Sequence, residues 1–271
     1  MSGNSPETGT YTALTLGVAD GVAMVELCRP EIHNRFDHVL HDELLRALDA
    51  VSADEHVRAL LLCAQGKVFS GGGDTARMLE GAAESPHDRF AGVDGGRHLF
   101  RRFADFSKPF VVALTGDVYG VGTSVVLTAD AIVSTPGVRL ADPHVHMGLV
   151  AGDGGVVAWP LNLAMTLSKR HLLWGDPLLA EDAHRLGLVT DLVDGRDDVV
   201  PLAARLAARV AALPPVAVQL TKRALNKVVQ SRTDEAFDLG FYLEAISLGT
   251  EDMVEAVTAF LEKRGGVFKG R

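Results

Sequence analysis

Two glycine-rich turns and one histidine hold the residue types in this 271-residue sequence best suited to chemistry. The first turn is Phe69-Ser70-Gly71-Gly72-Gly73-Asp74, which follows the apolar run 59–64. The second is Thr115-Gly116-Asp117-Val118-Tyr119-Gly120-Val121-Gly122, after Phe110-Val111-Val112-Ala113-Leu114. Each has the pattern of a buried strand passing through glycines into the start of a helix. A helix start offers backbone N–H groups without intrahelical acceptors and the positive end of the helix dipole. Two such starts brought together can hold one developing oxyanion. Taken singly, either turn is equally explained by the need for positive φ. A dinucleotide fingerprint fails because Val125 stands where Gly120-x-Gly122 would need its third glycine, and no Gly-Lys-Ser/Thr phosphate loop is present.

The histidine is His144, in Asp142-Pro143-His144-Val145-His146-Met147-Gly148, with Asp153 nine residues further on in Gly152-Asp153-Gly154-Gly155. An unperturbed imidazole serves as a base at neutral pH. Asp153 falls where a glycine-rich loop enters a helix, so it either orients or shares the proton work of His144 or simply caps the helix. Asp142, His144 and His146 alternate, which on a strand would place them on one side. With no fourth ligand visible, the expectation is no metal. Neither Cys28 nor Cys63 sits at a helix start beside a base, and Ser70 is not in a strand-Gly-x-Ser-x-Gly elbow, so nucleophilic catalysis is disfavoured.

The elements that must position these groups read as α/β. Two β-rich runs, 11–18 and 22–27, flank the hairpin signal Ala19-Asp20-Gly21. Asp37 caps a helix with Leu40, Leu44, Leu48 and Val51 on one stripe. Run 58–64 has an all-apolar centre and run 110–114 is apolar throughout, as in strands buried on both faces. Residues 75–87 read as a loop, and a helix follows with Phe90, Leu99, Phe100 and Phe103. Short strands are expected at 131–134, 138–141 and 188–193, with helices at 161–174, 180–185 and 199–212. From Pro215 the pattern is helical to about Lys263, broken near Gly249-Thr250. The organisation is therefore an α/β core over 1–196, with a frayed tail at 1–9, and a helical segment over 197–271.

Bulk properties narrow the function classes. At 47% hydrophobic residues the chain can build a sizeable core. A formal net charge of -9 argues against nucleic acid and anionic membrane as partners. Two cysteines in apolar runs, no apolar leader and no membrane-length run lead to an expectation of a cytoplasmic protein with reduced thiols.

Val68-Phe69-Ser70-Gly71-Gly72-Gly73-Asp74 resembles the Phe-Ser-Ala-Gly-Ala-Asp element of the enoyl-CoA hydratase/isomerase (crotonase) superfamily. The stretch from Lys108 to Gly116 is similar to that family's Lys-Pro-Val-Ile-Ala-Ala-Val-Asn-Gly, and the similarity continues in order to the tail Ala259-Phe260-Leu261-Glu262-Lys263-Arg264. The resemblance implies a spiral of β-β-α units with a helical C-terminal trimerisation segment, assembled as a homotrimer or homohexamer. It implies an acyl-CoA substrate, with coenzyme A as part of the substrate and no tightly bound cofactor. The thioester oxygen would accept from the backbone N–H groups of Gly73 and Val121, with Ser70, Gly71, Asp74 and Gly120 around it and His33 along the pantetheine. Lys222, Lys263 and Lys269 fall in the region that approaches CoA phosphates. The positions of the family's two catalytic glutamates are Ser124 and His144 here, which puts two-glutamate hydration in doubt. The His144/Asp153 spacing resembles the β-diketone hydrolase branch typified by oxocamphor hydrolase, implying retro-Claisen C–C hydrolysis as an alternative. Loss of both glutamates also leaves a non-catalytic CoA-binding subunit open.

Overall fold

The computed structural model describes residues 11–271, apart from the side chains of 91–96. The tail expected to fray lies outside the described residues. The chain opens with the hairpin β1 (Leu14–Ala19) and β2 (Val22–Leu27), turned by Asp20 and Gly21, both at positive φ. Helix α1 (His38–Ala53) follows, its N-terminus closed by Asp37, which accepts from Leu40 N–H. Three strand pairs come next. They are β3 (Ala59–Ala64) with β4 (Val68–Ser70), β5 (Phe110–Leu114) with β6 (Asp117–Tyr119), and β7 (Ala131–Ser134) with β8 (Arg139–Ala141). Each pair leads towards a helix, so the expected β-β-α repetition is present.

Within each pair the first strand enters a large sheet and the second a small one. The large sheet has the order β1-β2-β3-β5-β7-β10, where β10 is Asp191–Leu192. All its pairings are parallel except β1 with β2. The small sheet has the order β4-β6-β8-β9, β9 being Leu178–Leu179. There β4, β6 and β8 run parallel, with Ser70 beside Val118 and Tyr119 beside Ala141. The three strands therefore end together, and the turn residues that follow them emerge at one edge. Gly116 permits this crossing, since a Cβ there would lie 2.1 Å from Lys67 O.

The helices close the two faces. After β4 comes α2 (Thr75–Ala82), capped by Asp74, and then α3 (Pro86–Ala104), capped by Ser85. The sequence reading expected a loop over 75–87. Its breaker signals mark the α2–α3 junction, and Gly81 faces Leu248 closely enough that a Cβ would stand 3.2 Å from that side chain. Helix α4 (Val121–Val126) follows β6. The expected helix 161–174 is instead two, α5 (Gly155–Asn162) and α6 (Met165–Trp174), followed by α7 (Ala180–Arg185). One core, including Phe69, Phe100, Phe103, Phe110 and Trp159, fills the side of α1 and α3. On the other side Val199, Ala203, Ala207 and Ala211 of α8 (Val199–Ala211) cover Leu61, Cys63, Val111 and Val133.

Two helices complete the chain, α9 (Pro215–Ser247) and α10 (Glu251–Leu261). Lys222 ties α9 to the sheet, donating to Lys108 O at 2.9 Å and Asp130 Oδ2 at 2.6 Å. Its ammonium is spent inside the protein and the residue is 7% exposed, so Lys222 is not the phosphate-facing lysine that the resemblance implied. Among the described residues no single helix is long and apolar enough to cross a membrane.

Candidate active site

The edge where β4, β6 and β8 end is the floor of a cleft of about 700 Å³. Gly71, Gly72 and Gly73 reach it from β4, Tyr119 and Gly120 from β6, and His144 from β8. His33 and Met78 stand on one wall, and Ala259, Phe260 and Phe268 of the C-terminal segment on another. The two glycine turns meet closely. A Cβ on Gly120 would lie 3.9 Å from Gly72 Cα and 3.6 Å from His144 Cε1. Gly120 adopts φ 51° and is the N-cap of α4, making Val121 the first helical residue. Gly120 N–H donates to Ala141 O at 3.0 Å, and Thr123 Oγ1 donates to the same oxygen at 2.7 Å. These bonds hold the start of α4 against the end of β8.

The remaining residues around the first turn support it. Ser70 is buried, donates to Asn34 O at 3.0 Å and accepts from Gly72 N–H at 3.2 Å. Asp74 accepts from Ala76 N–H at 3.1 Å and lies 3.3 Å from Arg35, so its carboxylate caps α2. Lys269 is exposed and lies in the C-terminal tail, where its N–H donates to Asp252.

Behind His144 lies a buried charged cluster. His144 Nδ1 bonds Asp142 Oδ1, and Nε2 lies 3.2 Å from Asp153 Oδ2 and 3.9 Å from Glu244 Oε1. Ser124 Oγ donates to Asp153 Oδ1 at 3.2 Å. Asp153 is therefore not a helix cap. The N-cap of α5 is Gly154, and no side chain caps it. The expected backbone support of this carboxylate is replaced by Ser124 and His144. Asp142, His144 and His146 do not share a strand face, because a 3-10 helix begins at His144. His146 turns outward and bonds Trp174 O at 2.8 Å. Oxygen and nitrogen atoms of Asp142, His144 and Asp153 do come within 4.8 Å of one another, close enough to surround a small cation.

Burial alone would lower the affinity of His144 for a proton, but the carboxylates of Asp153 and Asp142 outweigh it and hold the pKa well above the usual histidine value. The sequence reading treated His144 as an ordinary base. The cluster shifts the ring towards its protonated form. Glu244 was missed altogether. It comes from α9, and burial, followed by the charge of Asp153, pushes its carboxyl up to about 8. Its approach depends on two glycines, since a Cβ on Gly152 would lie 2.4 Å from Gly240 O and one on Gly240 would lie 2.6 Å from Val156 Cγ2. Cys63 is buried and its thiol is pushed up to about 12, while Cys28 is half-buried, and both are free.

A floor made where parallel strands of stacked β-β-α units end defines an α/β protein of the crotonase fold. Residues 17–271 match the enoyl-CoA hydratase/isomerase family, and the chain belongs to it. It is 30% identical to the short-chain-enoyl-CoA hydratase of Clostridium acetobutylicum over 90% of this chain and 92% of that protein. It is 29% identical to the 1,2-epoxyphenylacetyl-CoA isomerase of Escherichia coli over 94% of this chain and 97% of that one. The crystal structure of an enoyl-CoA hydratase/isomerase from Mycobacterium paratuberculosis is similar with a TM-score of 0.85 at 32% identity, covering 91% of this chain and 98% of that one.

Proposed function

We propose that this protein acts on an acyl-CoA thioester and stabilises its enolate, with the backbone N–H groups of Gly73 and Val121 donating to the thioester oxygen. The observation that carries the reading is the meeting of the two glycine turns beside His144 at the floor of one cleft. One such donor is worth about 2.7–4 kcal/mol of transition-state stabilisation. His144, Asp153 and Glu244 handle the protons, and Ser124 holds Asp153 by its hydroxyl. Coenzyme A enters as part of the substrate, and the exposed Lys269, whose ammonium lies 3.7 Å from Glu251 Oε2, is the lysine assigned to its phosphates. The names of the relatives, a hydratase and an isomerase of CoA esters, support the substrate class. With Ser124 and His144 at the positions of the family's glutamates, rapid two-glutamate hydration is not the reaction assigned. The protein assembles as a homotrimer or homohexamer, a reading supported by exposed Leu225, Val228, Leu239 and Ile246 along α9.

A second reading is favoured by the cluster behind His144. A carboxylate held 3.2 Å from a protonated imidazole suits activation of water against a carbonyl, and hence C–C hydrolysis of a 3-oxoacyl-CoA or β-diketone. A panel of enoyl-CoA, 3-oxoacyl-CoA and cyclic diketone substrates, run on wild type and His144→Ala, separates the readings. Turnover of a CoA ester that collapses in His144→Ala supports the first assignment. C–C cleavage as the main activity selects the second. Crotonyl-CoA hydration as fast as that of the family's hydratases contradicts the second reading and the exclusion of rapid hydration, and failure to bind any acyl-CoA by calorimetry removes the CoA assignment.

A further inference from the structure

Asp142 does not line the cleft, yet it makes the closest contact to the one histidine that does so from within the charged cluster. It directly follows β8, is 0% exposed, and its Oδ1 bonds His144 Nδ1. Its second oxygen, Oδ2, has no hydrogen-bond partner among the described residues. That oxygen lies against the start of α5, where a Cβ on Gly155 would stand 2.2 Å from it. The helix start favours negative charge, and glycine leaves room for the carboxylate there. A buried carboxylate with one oxygen unpaired is costly unless a cation stays beside it. The ring has acceptors at both nitrogens, Asp142 at Nδ1 and Asp153 at Nε2, and only an imidazolium donates from both.

We propose that Asp142 is a positioning residue: it locks His144 with Nδ1–H donating to Asp142 and Nε2–H presented to Asp153 and the cleft, so that His144 acts as the proton donor and Asp153 as the proton acceptor. This rests on the reading that His144 performs proton transfer in the cleft. The cycle balances for an isomerisation through the enolate. A substrate C–H proton passes to Asp153 while the bonding pair moves to the thioester oxygen. Nε2–H then delivers a proton to the other carbon terminus as the pair returns. Asp153 finally passes its proton to Nε2 across the 3.2 Å between them, and Nδ1–H stays on Asp142 throughout. The titratable groups facing the ring, among the described residues, are Asp142, Asp153 at the entrance to α5, and Glu244 from α9. From α4 the cluster receives the neutral Ser124.

The test is a pH titration of 15N-histidine-labelled protein by NMR, with the His144 signals assigned by their loss in His144→Ala. In the unliganded wild type both His144 ring nitrogens should stay protonated to higher pH than those of an ordinary histidine. In Asp142→Asn the ring should deprotonate at lower pH. Turnover should fall roughly 100-fold or more, with KM little changed, because Asp142 touches no substrate. The pH at which the activity profile turns should move with the NMR midpoint. A wild-type ring that titrates as an ordinary histidine overturns the proposal without any variant, and so does an Asp142→Asn midpoint identical to the wild type. If Asp142→Asn fails to fold, Asp142→Glu, which keeps the charge, should retain the doubly protonated ring, and a neutral ring in it counts against the proposal. The NMR result does not depend on the substrate. Loss of acyl-CoA binding would sink the functional reading and leave the assignment of Asp142 standing.

Discussion

Replacing Val121 by proline deletes one proposed oxyanion donor without deleting any side-chain polar group. Val121 is the first residue of α4, so its N–H has no acceptor within the helix. Proline is well tolerated at the first helical position, where its missing N–H costs the helix nothing. The residue before it, Gly120, lacks the Cβ that a following proline ring would crowd. The fold should therefore survive, while the thioester oxygen loses one of two donors. One lost donor costs about 2.7–4 kcal/mol, equivalent to about 10²–10³ in kcat. Val121→Ala is the control, because it removes the same half-buried side chain and keeps the N–H. The assay is steady-state turnover of the best thioester from the substrate panel, with melting curves confirming that both variants fold. If folded Val121→Pro turns over as fast as Val121→Ala, the second glycine turn does not hold the reacting oxygen.

Three further outcomes follow from the packing and the charges. Gly152→Ala would force a methyl to within 2.4 Å of Gly240 O and 2.7 Å of Glu244, and should cost about 1–3 kcal/mol in denaturant unfolding; an unchanged midpoint would show that α9 is not packed against this loop. With the Glu244 carboxyl at about 8, the folded protein keeps a proton that the unfolded chain has released, so its stability falls as pH rises from the ordinary carboxylate range to about 8. Glu244→Gln cannot ionise, so melting temperatures should shift in its favour between about pH 5 and pH 9; a constant difference across that range would refute the assignment. With Cys63 buried and its thiol at about 12, iodoacetamide at neutral pH should label the half-buried Cys28 first, and equal labelling of both in native protein would contradict the burial.

The parts legible in the sequence are those whose signals are local. The all-apolar runs of β3 and β5 announced buried parallel strands, and Asp20-Gly21 announced the hairpin by its need for positive φ. The second glycine turn was legible as a helix start, because β6 before it and α4 after it lie within a few residues. Helix α2 was not, since Gly81 is a breaker by propensity and here lies against Leu248. Of the charged cluster, His144 and Asp153 were found by their spacing. Asp142 was noticed only as a possible metal ligand, because nothing local distinguishes a carboxylate that orients an imidazole from one that coordinates. Glu244 lies 91 residues beyond Asp153 in a long helix, and its only signals, Gly152 and Gly240, have meaning only once α9 is packed against the loop.

The central claim is that both glycine turns grip one thioester oxygen beside His144. The direct measurement is the infrared difference spectrum of an acyl-CoA labelled with 13C at the thioester carbonyl, bound to wild type and to Val121→Pro. Two backbone donors weaken the C=O bond, so the account predicts a carbonyl stretch at lower wavenumber in the wild-type complex than in free solution, and a smaller displacement in Val121→Pro. A bound carbonyl that absorbs where the free thioester does, or one displaced equally in both proteins, would contradict it.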